Sequence, residues 1–166
     1  MNNIDIATSL ILKELKIPIK DYSKCKNAIY LVQAKEIVKN FFWYRWSVNG
    51  VSSVSHEDNF PEFADTYYEL SINEKSGIYN DEFKGARLDA DTIKKLNELK
   101  PLIDSTKDLE LLVATHFLIN RSKIKNQKEI LKVLSEHKYT IPEDFKSEII
   151  SSLIQYSLIN EKEIKD

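Results

Sequence analysis

FFWYRWSVNGVSSVSHEDNF, Phe41 to Phe60, decides whether this chain is purely helical or also carries a sheet. Five of its first six residues are aromatic, a composition that suits a strand better than a surface helix. A strand sends alternate side chains to opposite faces. Phe42, Tyr44, Trp46 and Val48 then share one face, and Phe41, Trp43, Arg45 and Ser47 the other. Both faces start apolar, so the spacing predicts a strand over residues 41–48, covered on both sides near its start. Asn49-Gly50 is a turn signal. Residues 52–59 read as an exposed loop, with Asp58 or Asn59 capping the next helix and Pro61 near its first position.

Outward from this stretch the apolar spacing is helical. In residues 3–17, Ile4, Ala7, Ile11 and Leu15 form a stripe that Pro18 stops. Residues 22–39 are apolar on most sides, with Cys25, Ala28, Ile29 and Val32 on one face and Tyr30, Leu31, Ala34 and Val38 around it, as in a central helix. Beyond the loop, Phe63, Tyr67, Tyr68 and Leu70 predict a helix to about Ile72. Residues 74–88, bracketed by Gly77 and Gly85, are expected to add one or two short strands. Asp89 caps a helix that Pro101 kinks or ends.

Three helices follow from Asp108. The first is lined by Leu109, Leu112, Val113, His116 and Phe117. The second, lined by Ile130, Leu131, Leu134 and His137, follows a cap at Asn126, and the third follows Pro142. The expected fold is mainly α (α+β): a helical domain with a small antiparallel sheet and a C-terminal three-helix, winged-helix-like part. It reads as one domain over 1–166, with helices and the sheet in 1–106 and a helical subdomain in 107–160.

The totals exclude several classes. A length of 166 residues with 42% hydrophobic content supports a real core, and 3 Gly and 4 Pro argue against a disordered chain. A net charge of −2 supplies no global pull towards nucleic acid. The charge is uneven: residues 58–120 hold 7 basic and 13 acidic groups, so the middle of the chain is acidic. One cysteine, Cys25, excludes an internal disulfide and a cysteine-based zinc site. MNNIDIATSLILKELK has no basic leader before an apolar run, and no run approaches the roughly 20 residues that span a bilayer. The expectation is a cytoplasmic protein with no membrane partner.

Catalytic patterns are sparse. His56-Glu57-Asp58 is the nearest to a cluster, but adjacent loop residues point in different directions. There is no His-Glu-x-x-His, no glycine-rich phosphate loop and no Gly-x-Ser-x-Gly elbow. His116 lies on a core stripe and is expected to be a neutral histidine with one hydrogen-bond partner. His137 lies near a helix C-terminus, where a protonated ring favours the macrodipole. Cys25 is expected to be a buried, inert thiol beside Lys24 and Lys26. No catalytic residue, metal or cofactor is expected. Two binding surfaces are. Trp43, Arg45, Asn49 and His56 suit a protein contact, because Trp, Tyr and Arg commonly anchor such surfaces. Arg121, Lys123, Lys125 and Lys128 form a basic stretch that suits phosphates.

Several segments together carry a resemblance. They are KNAIYLVQ (Lys26–Gln33), the aromatic strand ending at Gly50, TYYEL (Thr66–Leu70), LNELKPLI (Leu96–Ile103), LELLVATHFL (Leu109–Leu118) and the final helical pair. Over roughly residues 24–159 the chain resembles the YwgA-like family of bacterial and archaeal proteins, itself distantly similar to Panacea, or SocA-like, antitoxin domains. It departs where that family has a Gly-Pro-Tyr-Ser-like turn, since Val51, Ser52 and Ser53 follow Gly50 here. The resemblance implies a small helical protein with a short sheet that works by binding another protein. Panacea-type domains neutralise toxins by binding them, and SocA-like members present a partner to a protease. The expectation is a non-enzymatic protein-binding module: antitoxin-like, adaptor, or host–virus interaction protein of a phage or mobile element. It has a protein partner, with a homodimer as a further arrangement. The alternative is a winged-helix-like DNA-binding regulator, and a hydrolytic enzyme ranks last.

Overall fold

A computed structural model describes residues 3–39, 42, 44–47, 50–52 and 54–166, with the backbone alone for Asn3 and residues 54–63. The fold is mainly α with one two-stranded antiparallel sheet. The chain divides into two compact units, Met1–Trp43 with Ser53–Lys100, and Tyr44–Ser52 with Pro101–Asp166.

The first unit begins with α1 (Asn3–Glu14) and α2 (Tyr22–Ala34). The α1 stripe buries Ile11, Leu12 and Leu15, and α2 buries residues on most of its sides, including Cys25, Ala28, Ile29, Leu31 and Val32. Each of the Ile, Leu and Val side chains among these contributes about 1.5–3 kcal/mol when fully buried. Asp21 caps α2 by accepting from the Lys24 N–H at 3.2 Å. Both helices end earlier than their apolar spacing suggests, and both end without glycine. Lys16 (φ 57) and Glu36 (φ 54) adopt the left-handed conformation. Lys16 N–H donates to the Lys13 carbonyl at 3.0 Å and Ile17 N–H to Leu12 at 2.9 Å. Glu36 and Ile37 repeat the pair onto Gln33 and Val32. These two bonds satisfy carbonyls that the helix end would otherwise orphan. Beyond α2, the Gln33 side chain substitutes for a strand partner: its amide donates to the Phe42 carbonyl and accepts from the Phe42 N–H, both at 3.1 Å.

The third helix, α3, runs Val54–Ser76. Residues 54–59, expected to be loop, are helical, and Pro61 lies inside the helix instead of near its start. Gly77 (φ 70) ends α3, its N–H donating to the Asn73 carbonyl at 2.9 Å. α1 packs chiefly along α3. Among the described residues 77–89 hold no strand. The chain is pinned there instead by the buried Phe83 and by the Asn80 N–H, which donates to Asn73 Oδ1 at 2.7 Å. Asp89 then caps α4 (Ala90–Ser105), accepting from the Thr92 N–H at 2.8 Å. α4 continues through Pro101, and the division between the units falls there.

In the second unit β1 (Arg45–Ser47) pairs antiparallel with β2 (Gly50–Ser52), in the register Arg45 to Ser52, Trp46 to Val51 and Ser47 to Gly50. The strand is shorter than predicted, and the residues expected to form turn and loop supply its partner. The alternation holds from Tyr44, buried, through Arg45, exposed, to Trp46, half-buried, and is lost at Ser47, which is half-buried as well. Phe41, Trp43, Val48 and Asn49 lie outside the described residues. β2 lies against α5 (Leu109–Asn120), in which every residue from Leu111 to Ile119 is buried. Asp108 caps α5 through the Leu111 N–H at 2.9 Å, and Asn126 caps α6 (Gln127–Ser135) through the Glu129 N–H at 3.2 Å. The third helical segment opens as a π-helix, Lys146–Ile150, and continues as α7 (Ser151–Gln155).

Candidate functional site

Trp46 closes the aromatic run of residues 41–46. Its indole lies 4.9 Å from the His137 ring, edge-on at 76°, 6.1 Å from Phe117 and 6.3 Å from Tyr139. This is a packed cluster, to which the aromatic stretch contributes Trp46, while Phe42 and Tyr44 are buried. Burial holds the Tyr139 phenol neutral, pushed up to about 12, with the Val51 backbone opposing that shift and Glu110 and Asp108 adding to it. Gly50 (φ 87) lies against this phenol so closely that any Cβ there would overlap it.

Of the four residues expected to form a protein contact, only Arg45 has a described side chain, and it is exposed. Trp43 and Asn49 lie outside the described residues. His56 falls in the backbone of α3, with its side chain outside them. In the basic stretch Arg121, Lys123 and Lys128 are exposed, while Lys125 lies 3.6 Å from Glu163 and is partly engaged. Lys123 is left-handed (φ 59) just beyond the end of α5.

The buried nucleophile and base are both quiet. Cys25 Sγ donates to the Pro18 carbonyl at 3.5 Å. Burial first, and Asp21 second, push this thiol up to about 12, which leaves little thiolate at neutral pH. His116 is buried, and its Nε2–H donates to the Leu158 carbonyl at 3.2 Å. Burial pushes it down to about 4, so the ring is neutral. Among the described residues no three His, Cys, Asp or Glu side chains gather closely enough to hold a metal ion.

The sequence reading missed an exposed apolar face. Tyr68 is 53% exposed, Ile72 65%, Ile78 74% and Tyr79 45%. Tyr68 and Ile72 are four residues apart on α3 and therefore share a face, and Ile78 and Tyr79 follow directly after Gly77. Tyr67, the neighbour of Tyr68, is turned differently: its hydroxyl donates to the Ile17 carbonyl at 3.4 Å and its ring lies 4.9 Å from Lys13 Nζ. Asp65, Glu69, Asp81 and Glu82 are exposed around this apolar run, and none makes an ion pair among the described residues. The available signal was the Tyr68-Ile72 spacing followed by a second apolar pair.

Compared with known proteins, the chain matches no family model, no curated protein and no solved structure.

Proposed function

We propose that the protein is a binding module for another polypeptide, engaged through the face of Tyr68, Ile72, Ile78 and Tyr79. The observation that carries this reading is that four large apolar side chains, 45–74% exposed, fall within twelve residues of one another. Large apolar side chains left exposed close together commonly mark a contact site. The acidic groups at Asp65, Glu69, Asp81 and Glu82 select the partner's chemistry: a segment that presents apolar side chains flanked by lysine or arginine. Antitoxin-like and adaptor roles, which the YwgA-like and Panacea resemblance implies, are two forms of such binding.

The test is a tagged pulldown from the native host, with and without nuclease, followed by affinity measurement with the purified partner. Ile72→Asp and Tyr79→Ala are each expected to weaken binding at least tenfold, since an interface anchor is worth about 2 kcal/mol or more. Added salt is expected to weaken it further. Arg121→Ala with Lys123→Ala should leave it unchanged. Recovery of nucleic acid alone, or a partner indifferent to Ile72→Asp, would overturn the reading.

A further inference from the structure

A second feature of the first unit lies on a different side of α3. An open groove of about 690 Å³ is lined by the end of α1, by Tyr67 and Glu74 of α3, by residues 86–88 and by the first turn of α4. That volume suits a small organic molecule. Its apolar lining includes Leu10, Leu88 and Ile93, all half-buried.

The charges in the groove are not balanced. Lys13 and Glu74 neutralise one another at 2.9 Å, and the same ammonium donates to Ser71 Oγ at 2.8 Å. Glu14 accepts from the Asn97 side-chain amide at 3.4 Å. Lys16 and Arg87 also line the groove, and among the described residues neither meets a carboxylate. With Lys13 and Glu74 paired, the remaining charges that line the groove are Lys16, Arg87 and Glu14, an excess of one positive charge.

Both are set on anchored backbone. Lys16 occupies the left-handed position at the end of α1, held by its own N–H bond to Lys13 and by the Ile17 bond to Leu12. Arg87 follows Ala86, whose N–H donates to the Phe83 carbonyl at 2.9 Å, and Phe83 is buried. Ordering these segments on ligand binding therefore costs little, which favours recognition. A guanidinium fork and an ammonium lining the same groove as apolar side chains match an anionic head on an apolar body.

We infer that this groove binds a small organic anion, its carboxylate or phosphate held between Lys16 and Arg87 and its apolar body against Leu10, Leu88 and Ile93. The inference does not depend on the polypeptide-binding face. The test is a titration of the ¹⁵N-labelled full chain with benzoate, phenyl phosphate and inorganic phosphate. Saturable shifts at the Lys16, Arg87 and Leu88 amides are expected with benzoate or phenyl phosphate. Whichever of the two saturates at lower concentration identifies the head group. Inorganic phosphate should bind at least tenfold more weakly, because it lacks the apolar body. Lys16→Ala with Arg87→Ala, both at exposed positions, should weaken binding at least tenfold while leaving the spectrum dispersed. Leu88→Glu should weaken it independently. Shifts that fail to saturate, that survive the double substitution, or that inorganic phosphate reproduces equally would overturn the inference.

Discussion

The indole N–H of Trp46 donates to Nε2 of His137 across 3.0 Å, and Nδ1–H of the same ring donates to the Val133 carbonyl at 2.7 Å. An indole N–H can only donate and a carbonyl can only accept, so in this arrangement Nδ1 carries the donated hydrogen and Nε2 presents its lone pair to the indole. In this arrangement His137 serves as the acceptor for the indole. One side chain ties β1 to the end of α6.

This pair should be energetically coupled. Trp46→Phe keeps most of the ring but removes the donor, and leaves a half-buried acceptor without it, a loss of about 1–3 kcal/mol. His137→Phe removes the acceptor. Urea denaturation of the wild type, both single variants and the double variant should give a coupling of about 1 kcal/mol or more. Strictly additive losses would mean that the bond contributes nothing beyond packing.

Gly50 and Gly85 separate two costs that are usually confounded. Both have positive φ, 87° and 80°, but a Cβ at Gly85 meets open space while one at Gly50 overlaps the Tyr139 phenol. Gly85→Ala should cost about 1 kcal/mol, the left-handed penalty alone. Gly50→Ala should cost at least 2 kcal/mol more, in the range of overpacked sites, and shift the amide signals of the hairpin. Adding Tyr139→Ala to Gly50→Ala should recover part of the steric share. Equal losses at the two glycines would show that the Tyr139 contact is slack.

How much of this could be read from the chain depends on whether the deciding interaction was local. The apolar stripes of α1, α2 and α5 were legible because core packing imposes the helical period. The caps at Asp89 and Asn126 were legible because a cap is a bond to a residue three positions away, whereas Asp108 was read only as the point where the helices begin. The early stop of α2 was not, because Glu36 rather than glycine occupies the left-handed position. β2 was missed because three residues, Gly50–Ser52, are stabilised by pairing with β1 and by α5, neither visible in their own sequence. The start of α3 was misplaced because Asp58, Asn59 and Pro61 look locally like a helix beginning. For the candidate face, periodicity grouped Tyr67 with Tyr68. Which of the two meets α1 is set by the rotation of α3, which packing alone decides.

Burial of His116 makes stability depend on pH. Its folded value of about 4 lies below the ordinary 6.5. As pH falls through 6.5 the unfolded chain takes up the proton, and the folded chain does not until about 4. The unfolded state thus binds more protons in this window, and stability declines as pH falls. The contribution is fully present above about pH 6.5 and approaches a loss of roughly 3 kcal/mol near pH 4. Exposed carboxylates titrate in the same range, so the measurement is the difference between wild type and His116→Gln in urea denaturation from pH 7.5 to 4. The wild type should lose stability more steeply. Parallel profiles would place the proton uptake elsewhere.

The last expectation concerns helix ends. With 3 glycines in 166 residues, this chain closes helices on Lys16, Glu36 and Ser157, at φ 57, 54 and 55. Each makes the same two bonds, as when Ser157 N–H donates to Ile154 and Leu158 N–H to Leu153, both at 2.9 Å. A non-glycine residue there carries a steric cost of about 1–2 kcal/mol. Glycine relieves that cost but adds about 0.5–1 kcal/mol through the greater freedom of the unfolded chain. The first effect exceeds the second, so Glu36→Gly and Ser157→Gly should each stabilise by up to about 1 kcal/mol, and additively, since they close different helices in different units. Thermal denaturation checks both. A drop in midpoint for either would mean that its side chain makes a contact worth more than the strain it carries.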